Sequence, residues 1–234
     1  MERLASNEHR AQWQQRRTAA ASGAREPCAP ATPGVVRLAP THLAPTHIDI
    51  EDIATALNEV VGDETIVVEE AVTSAAALRR TLRRERPGSW LHAGGPGIGW
   101  ALGAAVGAKL AAPEREVVAV VGDGSFVFGS PIAALWAAQQ VHAPFLAVVL
   151  NNGGYRASKD PVLKLFPEGA SVLANLFPGV RFPTPPDYAA LARSCHAYGA
   201  RVQDPADLTP ALARALQAVR EGQAAVLDLV MAPI

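Results

Sequence analysis

The chain has little cysteine, little charge imbalance and no long apolar run. Its two cysteines, Cys28 and Cys195, make no disulfide framework and no Cys-x-x-Cys metal spacing, so two reduced thiols are expected. No apolar stretch reaches the ~18 residues that a membrane-spanning helix requires. The opening residues, MERLASNEHRAQWQQRR, are charged and lack the apolar centre of a signal peptide, which points to a cytoplasmic protein. Lys and Arg number 21 against 22 Asp and Glu, leaving a net charge of −1 and no electrostatic case for nucleic acid or an anionic membrane as partner. His92, His142 and His196 fall at no metal-ligand spacing and are read as structural or surface residues. What remains is a 234-residue chain, 49% hydrophobic and 18% charged, with ample material for a core in one large domain or two small ones.

The most informative stretch runs from residue 117 to 155. An apolar run, residues 117–121, stops at Gly122-Asp123-Gly124. A helical pattern follows, with Pro131 where a first helical turn accepts proline. A second apolar run, residues 145–150, stops at Asn151-Asn152-Gly153-Gly154. This reads as a strand–helix–strand crossover carrying oxygen ligands beyond the carboxyl ends of both strands, where open parallel sheets bind ligands. One carboxylate, one amide oxygen and a nearby backbone carbonyl are hard donors that suit Mg²⁺ or Ca²⁺ and suit zinc poorly. A single carboxylate does not complete a Mg²⁺ site, and phosphate oxygens and water usually fill the octahedron, so a phosphorylated ligand is implied. Gly122 and Gly124 let the backbone approach such a ligand, and the amides of Gly124 and Ser125 would face its anion. Either motif alone is also an ordinary turn; their pairing across one crossover is the signal.

Gly-Asp-Gly, then 26 residues, then Asn-Asn resembles the thiamin-diphosphate binding motif. The flanking text resembles the pyrophosphate-binding domain of the acetolactate synthase and benzoylformate decarboxylase group, over residues 48–234. The resemblance implies an α/β fold: an open, mostly parallel six-stranded sheet with helices on both faces. It implies thiamin diphosphate and Mg²⁺ as cofactors, with the metal on Asp123, Asn152 and the carbonyl of Gly154. It also implies that Thr73 and Ser74, at the start of a helix, bind the diphosphate, with Tyr155 as a further contact. Residues 94–100, Gly-Gly-Pro-Gly-Ile-Gly-Trp, match the family's glycine-rich turn, in which Pro96 and Gly97 would contact the aminopyrimidine through their backbone. Ile98 would prop the cofactor into its bent shape. A dinucleotide-binding fingerprint fails there by register, because residue 102 is Leu102 and the glycine comes at 103. The family usually has proline where this chain has Gly103.

Residues 2–21 read as a short helix, and residues 24–46, with prolines at 27, 30, 33, 40 and 45, as an extended linker. By the resemblance, residues 1–47 are the remnant of a middle domain and residues 48–234 the cofactor domain. Ile50, Ile53, Ala54 and Leu57 recur at helical spacing. Beyond them a strand is expected over residues 65–68, a helix over 74–84 with a basic outer face, and a small-residue helix to Leu110. Residues 156–186 show no period and are expected to form a long loop that closes over the cofactor. Arg156 and Lys159 in that loop are candidates to meet an acidic substrate, or else surface charges. Asp187 is expected to cap a helix running to Tyr198. A strand near 200–202, a helix over 208–221 and a strand over 224–230 then finish the sheet.

In the resembling family a glutamate on another domain, usually of a neighbouring subunit, hydrogen-bonds the aminopyrimidine and activates it. No such domain is found here, and Glu69 and Glu70 do not match that glutamate's place. No catalytic residue is therefore expected in this chain. The chain is expected to be the cofactor-holding half of a lyase or carboligase acting on 2-keto acids, in a hetero-oligomer with a chain that supplies the pyrimidine-binding domain. A non-catalytic assembly subunit that retains the metal–diphosphate site, a fragment of an acetolactate synthase large subunit, and a different phosphate-ligand enzyme on a doubly wound sheet are the alternatives. The segments 130–140 and 99–107 lean toward the benzoylformate decarboxylase side.

Overall fold

A computed structural model of the chain describes Gln15, residues 47–95 and residues 97–234. The expected N-terminal helix and the proline-rich linker, apart from Gln15, lie outside the described residues, as do Cys28 and Pro96.

Six parallel strands form one sheet: β1 (Ile66–Glu70), β2 (Trp90–His92), β3 (Val117–Gly122), β4 (Leu146–Asn151), β5 (Tyr198–Val202) and β6 (Ala225–Val230), in the order β2-β1-β3-β4-β6-β5. The central strands are continuous apolar runs, as parallel strands covered on both faces must be. Along β3 the pleat sends Val118 and Val120 into one core and Val117, Ala119 and Val121 into the other. Helices α1 (Ile50–Val60), α2 (Ala75–Thr81) and α9 (Leu208–Arg220) contribute to the first core. Helices α3 (Ala101–Ala111), α4 (Asp123–Phe128), α5 (Pro131–Gln140) and α8 (Tyr188–Ser194) contribute to the second. The result is the three-layer α/β architecture expected of the sequence.

Local chemistry sets the helix starts. Asp49 caps α1 by accepting from the Asp52 amide at 2.8 Å, while the Asp52 carboxylate accepts from the Asp49 amide. Asp187 caps α8, accepting from the Ala190 amide at 2.8 Å. Pro131 occupies the first turn of α5, at the end of a break made by Ser130 in the left-handed region (φ 52°).

Several boundaries depart from the sequence reading. β1 runs on through Glu69 and Glu70, which are buried because both carboxylates have partners. The sixth strand, β2, is three residues at an edge, too short to register as a pattern. The helix expected over 74–84 is a 3₁₀ turn, Val72–Ser74, followed by the shorter α2. The helix after Asp187 stops at Ser194, and Tyr198 begins β5. The expected loop after Tyr155 contains α6 (Arg156–Leu165) and α7 (Ala170–Leu173); α6 carries Pro161 in its interior and has no buried residue, so neither proline rule nor core periodicity announces it.

The chain leaves β1 for β2 on one side and β3 for β4 on the other. The direction of winding therefore reverses between β1 and β3, which opens a crevice at their carboxyl ends. No helix among the described residues is long and apolar enough to cross a membrane.

The two cores predict a sharp contrast in sensitivity. Leu212 is fully buried, whereas Leu173 is 77% exposed. Leu212→Ala is expected to cost about 2–5 kcal/mol and Leu173→Ala under about 0.5 kcal/mol in urea unfolding. Equal costs would contradict this packing.

Candidate cofactor and metal site

A cavity of about 290 Å³ lies at the reversal point. Its walls come from the turn after β1 (Ala71–Ser74), the β3–α4 junction (Gly122–Ser125), the end of β4 with the turn after it, and Ile98. The first three residues of α6, Arg156, Ala157 and Ser158, close it. Thr73, Ser74, Ile98, Gly122, Gly124, Ser125 and Tyr155, all singled out in the sequence, line this one space with Asp123, Asn152 and Gly154. Gly97 belongs to the adjacent turn but not to the wall, and Pro96 lies outside the described residues.

Asp123 is the pivot. It is 1% exposed, at the first position of α4. Its Oδ1 accepts from the Gly124 amide at 2.8 Å. Its Oδ2 accepts from the amides of Gly153 at 2.8 Å and Gly154 at 3.0 Å, across from β3 to the turn after β4. Asn152 Oδ1 also accepts from the Gly154 amide, at 3.2 Å. The carboxylate and the amide oxygen thus converge on a single N–H. The Gly154 carbonyl accepts from the Arg156 amide at 3.1 Å and keeps a second lone pair.

This convergence needs glycine. A Cβ on Gly154 would meet the Val180 carbonyl oxygen, and the turn is held there by the Tyr155 amide donating to that same oxygen at 2.8 Å. A Cβ on Gly124 would lie 2.5 Å from the Tyr155 ring, so the ring packs directly against bare backbone. Phe182 holds that ring edge-to-face, with centroids 4.8 Å apart.

Charge defines what the site lacks. Burial pushes the Asp123 carboxyl from 3.8 up to about 6; three backbone amides pull the other way, and the nearby Asp228 charge pushes up again. Among the described residues it forms no ion pair with a cationic side chain. Among the described residues, no three His, Cys, Asp or Glu side chains group as a metal site. A buried carboxylate, an amide oxygen and a free carbonyl lone pair fit one hard cation that also needs anionic oxygens from a ligand. At the start of the ten-residue α6 the Arg156 and Ser158 amides donate to the Gly154 and Tyr155 carbonyls, which leaves the Ala157 amide to suit such an anion. Val72 carries φ 41°, a strained value for a β-branched residue, at the turn that presents Thr73 and Ser74.

Ala157 and Ser158 have no signal of their own in the sequence; Tyr155 and Arg156 just ahead of them mark their place. Asn151, the other half of the Asn-Asn pair, is not on the cavity wall; its Oδ1 accepts from the Gly153 amide at 3.3 Å and its Nδ2 donates to Asp228 Oδ1 at 2.7 Å. Asp228 is fully buried, with Arg201 3.6 Å away. Glu69 accepts from the Ala71 amide and pairs with Arg79.

A strand order with this reversal, and a carboxylate and amide oxygen meeting over an anion-friendly cavity, define a phosphate-ligand domain of the doubly wound class. Comparison with known proteins narrows the class. Residues 70–229 match the family described as thiamine pyrophosphate enzyme, C-terminal TPP binding domain, and the chain belongs to that family. It is 36% identical over 107 residues to a benzoylformate decarboxylase of Pseudomonas aeruginosa, covering 46% of this chain and 20% of that protein. It is 34% identical over 172 residues to an acetolactate synthase large subunit of Mycobacterium tuberculosis, covering 73% and 29%. The solved thiamine diphosphate-dependent 4-hydroxybenzoylformate decarboxylase of Rhodococcus jostii superposes with a TM-score of 0.71 at 27% identity, covering 86% of this chain and 36% of that one. The chain thus spans about a third or less of these relatives.

The Asp123 environment predicts a pH dependence of definite sign. Between 3.8 and about 6 the folded chain keeps a proton that the unfolded chain has lost, so cation-free stability falls as pH rises through that window. Cation binding needs the ionised form and is expected to strengthen up to roughly tenfold per pH unit below 6, then level off. Melting temperatures with and without Mg²⁺ and diphosphate from pH 4 to 8 check this; parallel curves would contradict it.

Proposed function

We propose that this chain is the cofactor-holding half of a thiamin-diphosphate-dependent lyase or carboligase that acts on 2-keto acids, by decarboxylation or by cleavage or formation of the adjacent C–C bond. The observation that carries this reading is the convergence of Asp123 Oδ2 and Asn152 Oδ1 on the Gly154 amide at the reversal point of the sheet. The names of the relatives, decarboxylases and synthases of this cofactor, support the reaction class.

In this reading Asp123, Asn152 and the Gly154 carbonyl hold Mg²⁺. Thr73, Ser74, Tyr155 and the Ser125 amide hold the diphosphate, and Gly124, whose amide is committed to Asp123 Oδ1, lets the backbone approach it. Ile98 props the cofactor, and Pro96 and Gly97 meet its aminopyrimidine through their backbone. Bound thiamin diphosphate supplies the electron sink that lets a bond beside a keto group break or form. The chain's own residues contribute binding and orientation. Among the described residues, Asp123 is the one carboxylate lining the cavity. Glu69 and Glu70 are both engaged within the fold, so the activating glutamate is assigned to another chain or domain. That commitment also supports a second reading, a non-catalytic assembly subunit that keeps the metal–diphosphate site.

Titration calorimetry with thiamin diphosphate and Mg²⁺ tests the site. Asp123→Ala is expected to weaken binding at least about a hundredfold, because it removes the metal's only anionic protein ligand and leaves buried amides unpaired. Undiminished binding would refute the assignment. The chain alone is expected to show no 2-keto acid turnover, with activity appearing on addition of a chain that carries the glutamate. Substantial turnover by the chain alone would refute the division of labour, and a completed complex that stays inactive would favour the assembly subunit.

A further inference from the structure

Glu70 ends β1 with a 5% exposed carboxylate. That carboxylate does not face the cavity. It reaches across 29–31 residues of sequence to the start of α3, where Oε1 accepts from the Gly99 amide at 2.6 Å and the Trp100 amide at 3.3 Å, and Oε2 accepts from the Ala101 amide at 2.9 Å. An eleven-residue helix that no residue of its own caps is therefore capped by a distant buried anion. The same turn is pressed from the other side. Gly99 sits at φ 94°, and a Cβ there would lie 3.0 Å from the Phe128 backbone at the end of α4, the helix that Asp123 begins. Directly before this held glycine stands Ile98, which lines the cavity. With the turn's amides bonded to one carboxylate and its glycine against one backbone, Ile98 has little freedom to move.

We infer that Glu70 is a positioning residue: its carboxylate fixes residues 98–101 so that Ile98 stands against the thiamin end of the cofactor, while the diphosphate end is held independently. This rests on the cofactor reading above. The division follows from placement. The groups assigned to the metal and diphosphate are carried by the β3–α4 junction, the turn after β4 and the turn at 72–74, and none of the three Glu70 bonds goes to them. A merely structural Glu70 would loosen the whole domain and weaken every ligand alike. A positioning Glu70 separates the two ends of the cofactor.

The experiment is calorimetric titration of the full chain with two probes, thiamin diphosphate plus Mg²⁺ and inorganic diphosphate plus Mg²⁺, for wild type, Glu70→Gln, Ile98→Ala and the double variant. Glu70→Gln keeps the shape but sets a donor NH₂ against backbone N–H groups. Both single variants are expected to weaken thiamin diphosphate about tenfold while leaving inorganic diphosphate within about twofold. The double variant is expected to lose much less than the product of the two, since Glu70 acts through Ile98. Equal loss of both probes, no loss of either, or a multiplicative double variant would overturn the inference. Glu70→Asp, which withdraws the carboxylate by one methylene, replaces Glu70→Gln if circular dichroism shows the latter unfolded, and the same pattern is expected. Unfolding of both would assign Glu70 to the scaffold and overturn the inference. A wild-type chain that fails to bind thiamin diphosphate refutes the cofactor reading itself, not the role of Glu70.

Discussion

One buried carboxylate holds two strand ends together. Asp123 reaches from the end of β3 to the amides of Gly153 and Gly154 beyond β4, in a place that water barely touches. A charge there is costly unless hydrogen-bonded and neutralised. Three amides provide the hydrogen bonds; among the described residues the carboxylate forms no ion pair. The rest of the site is built around that deficit. The turn after β4 is clamped at each carbonyl: Asn151 accepts from the Met231 amide, Asn152 from Ile234, and Gly153 from Phe182. With these groups satisfied, what remains for a ligand is the Asn152 side chain, the carboxylate's spare lone pairs and the Gly154 carbonyl.

A second buried polar layer stiffens the first. Asn151 is not on the cavity wall and ties β4 to Asp228 on β6. Burial pushes the Asp228 carboxyl up, opposed by the Asn151 bond and by Arg201. Its other oxygen has no hydrogen-bond partner, and neither does the buried hydroxyl of Tyr188. The two asparagines therefore divide the labour: one faces the candidate ion, and the other anchors the strand that presents it. In the same way the glutamates that end β1 turn to Arg79 and to the start of α3, leaving the cavity with a single acid among the described residues.

What was legible in the sequence follows the strength of the local physics. β3 and β4 are apolar runs that stop at Gly-Asp-Gly and Asn-Asn-Gly-Gly, so both the crossover and the two oxygen-bearing side chains at its strand ends could be read directly. Asp187 and Pro131 announce helix starts by well-defined cap and first-turn preferences. α6 could not be read, because Pro161 interrupts it and no buried stripe marks a face. β2 is too short to show a period. The role of Glu70 depends on a contact 29 residues away and has no local signature, although two glutamates ending an apolar strand already required partners. The difference between Asn151 and Asn152 is likewise a matter of pleat: one residue further along a strand faces the other way.

The chain spans about a third or less of the relatives named above, and its described residues bring Asp123, Asn152 and Gly154 to one cavity, the proposed metal–diphosphate site. The most direct test is crystallographic. Crystals grown with thiamin diphosphate and Mn²⁺ in place of Mg²⁺ should show one strong anomalous peak within about 2.3 Å of an Asp123 carboxylate oxygen, Asn152 Oδ1 and the Gly154 carbonyl. A peak elsewhere, or diphosphate density in the cavity with no metal at these three oxygens, would contradict the account.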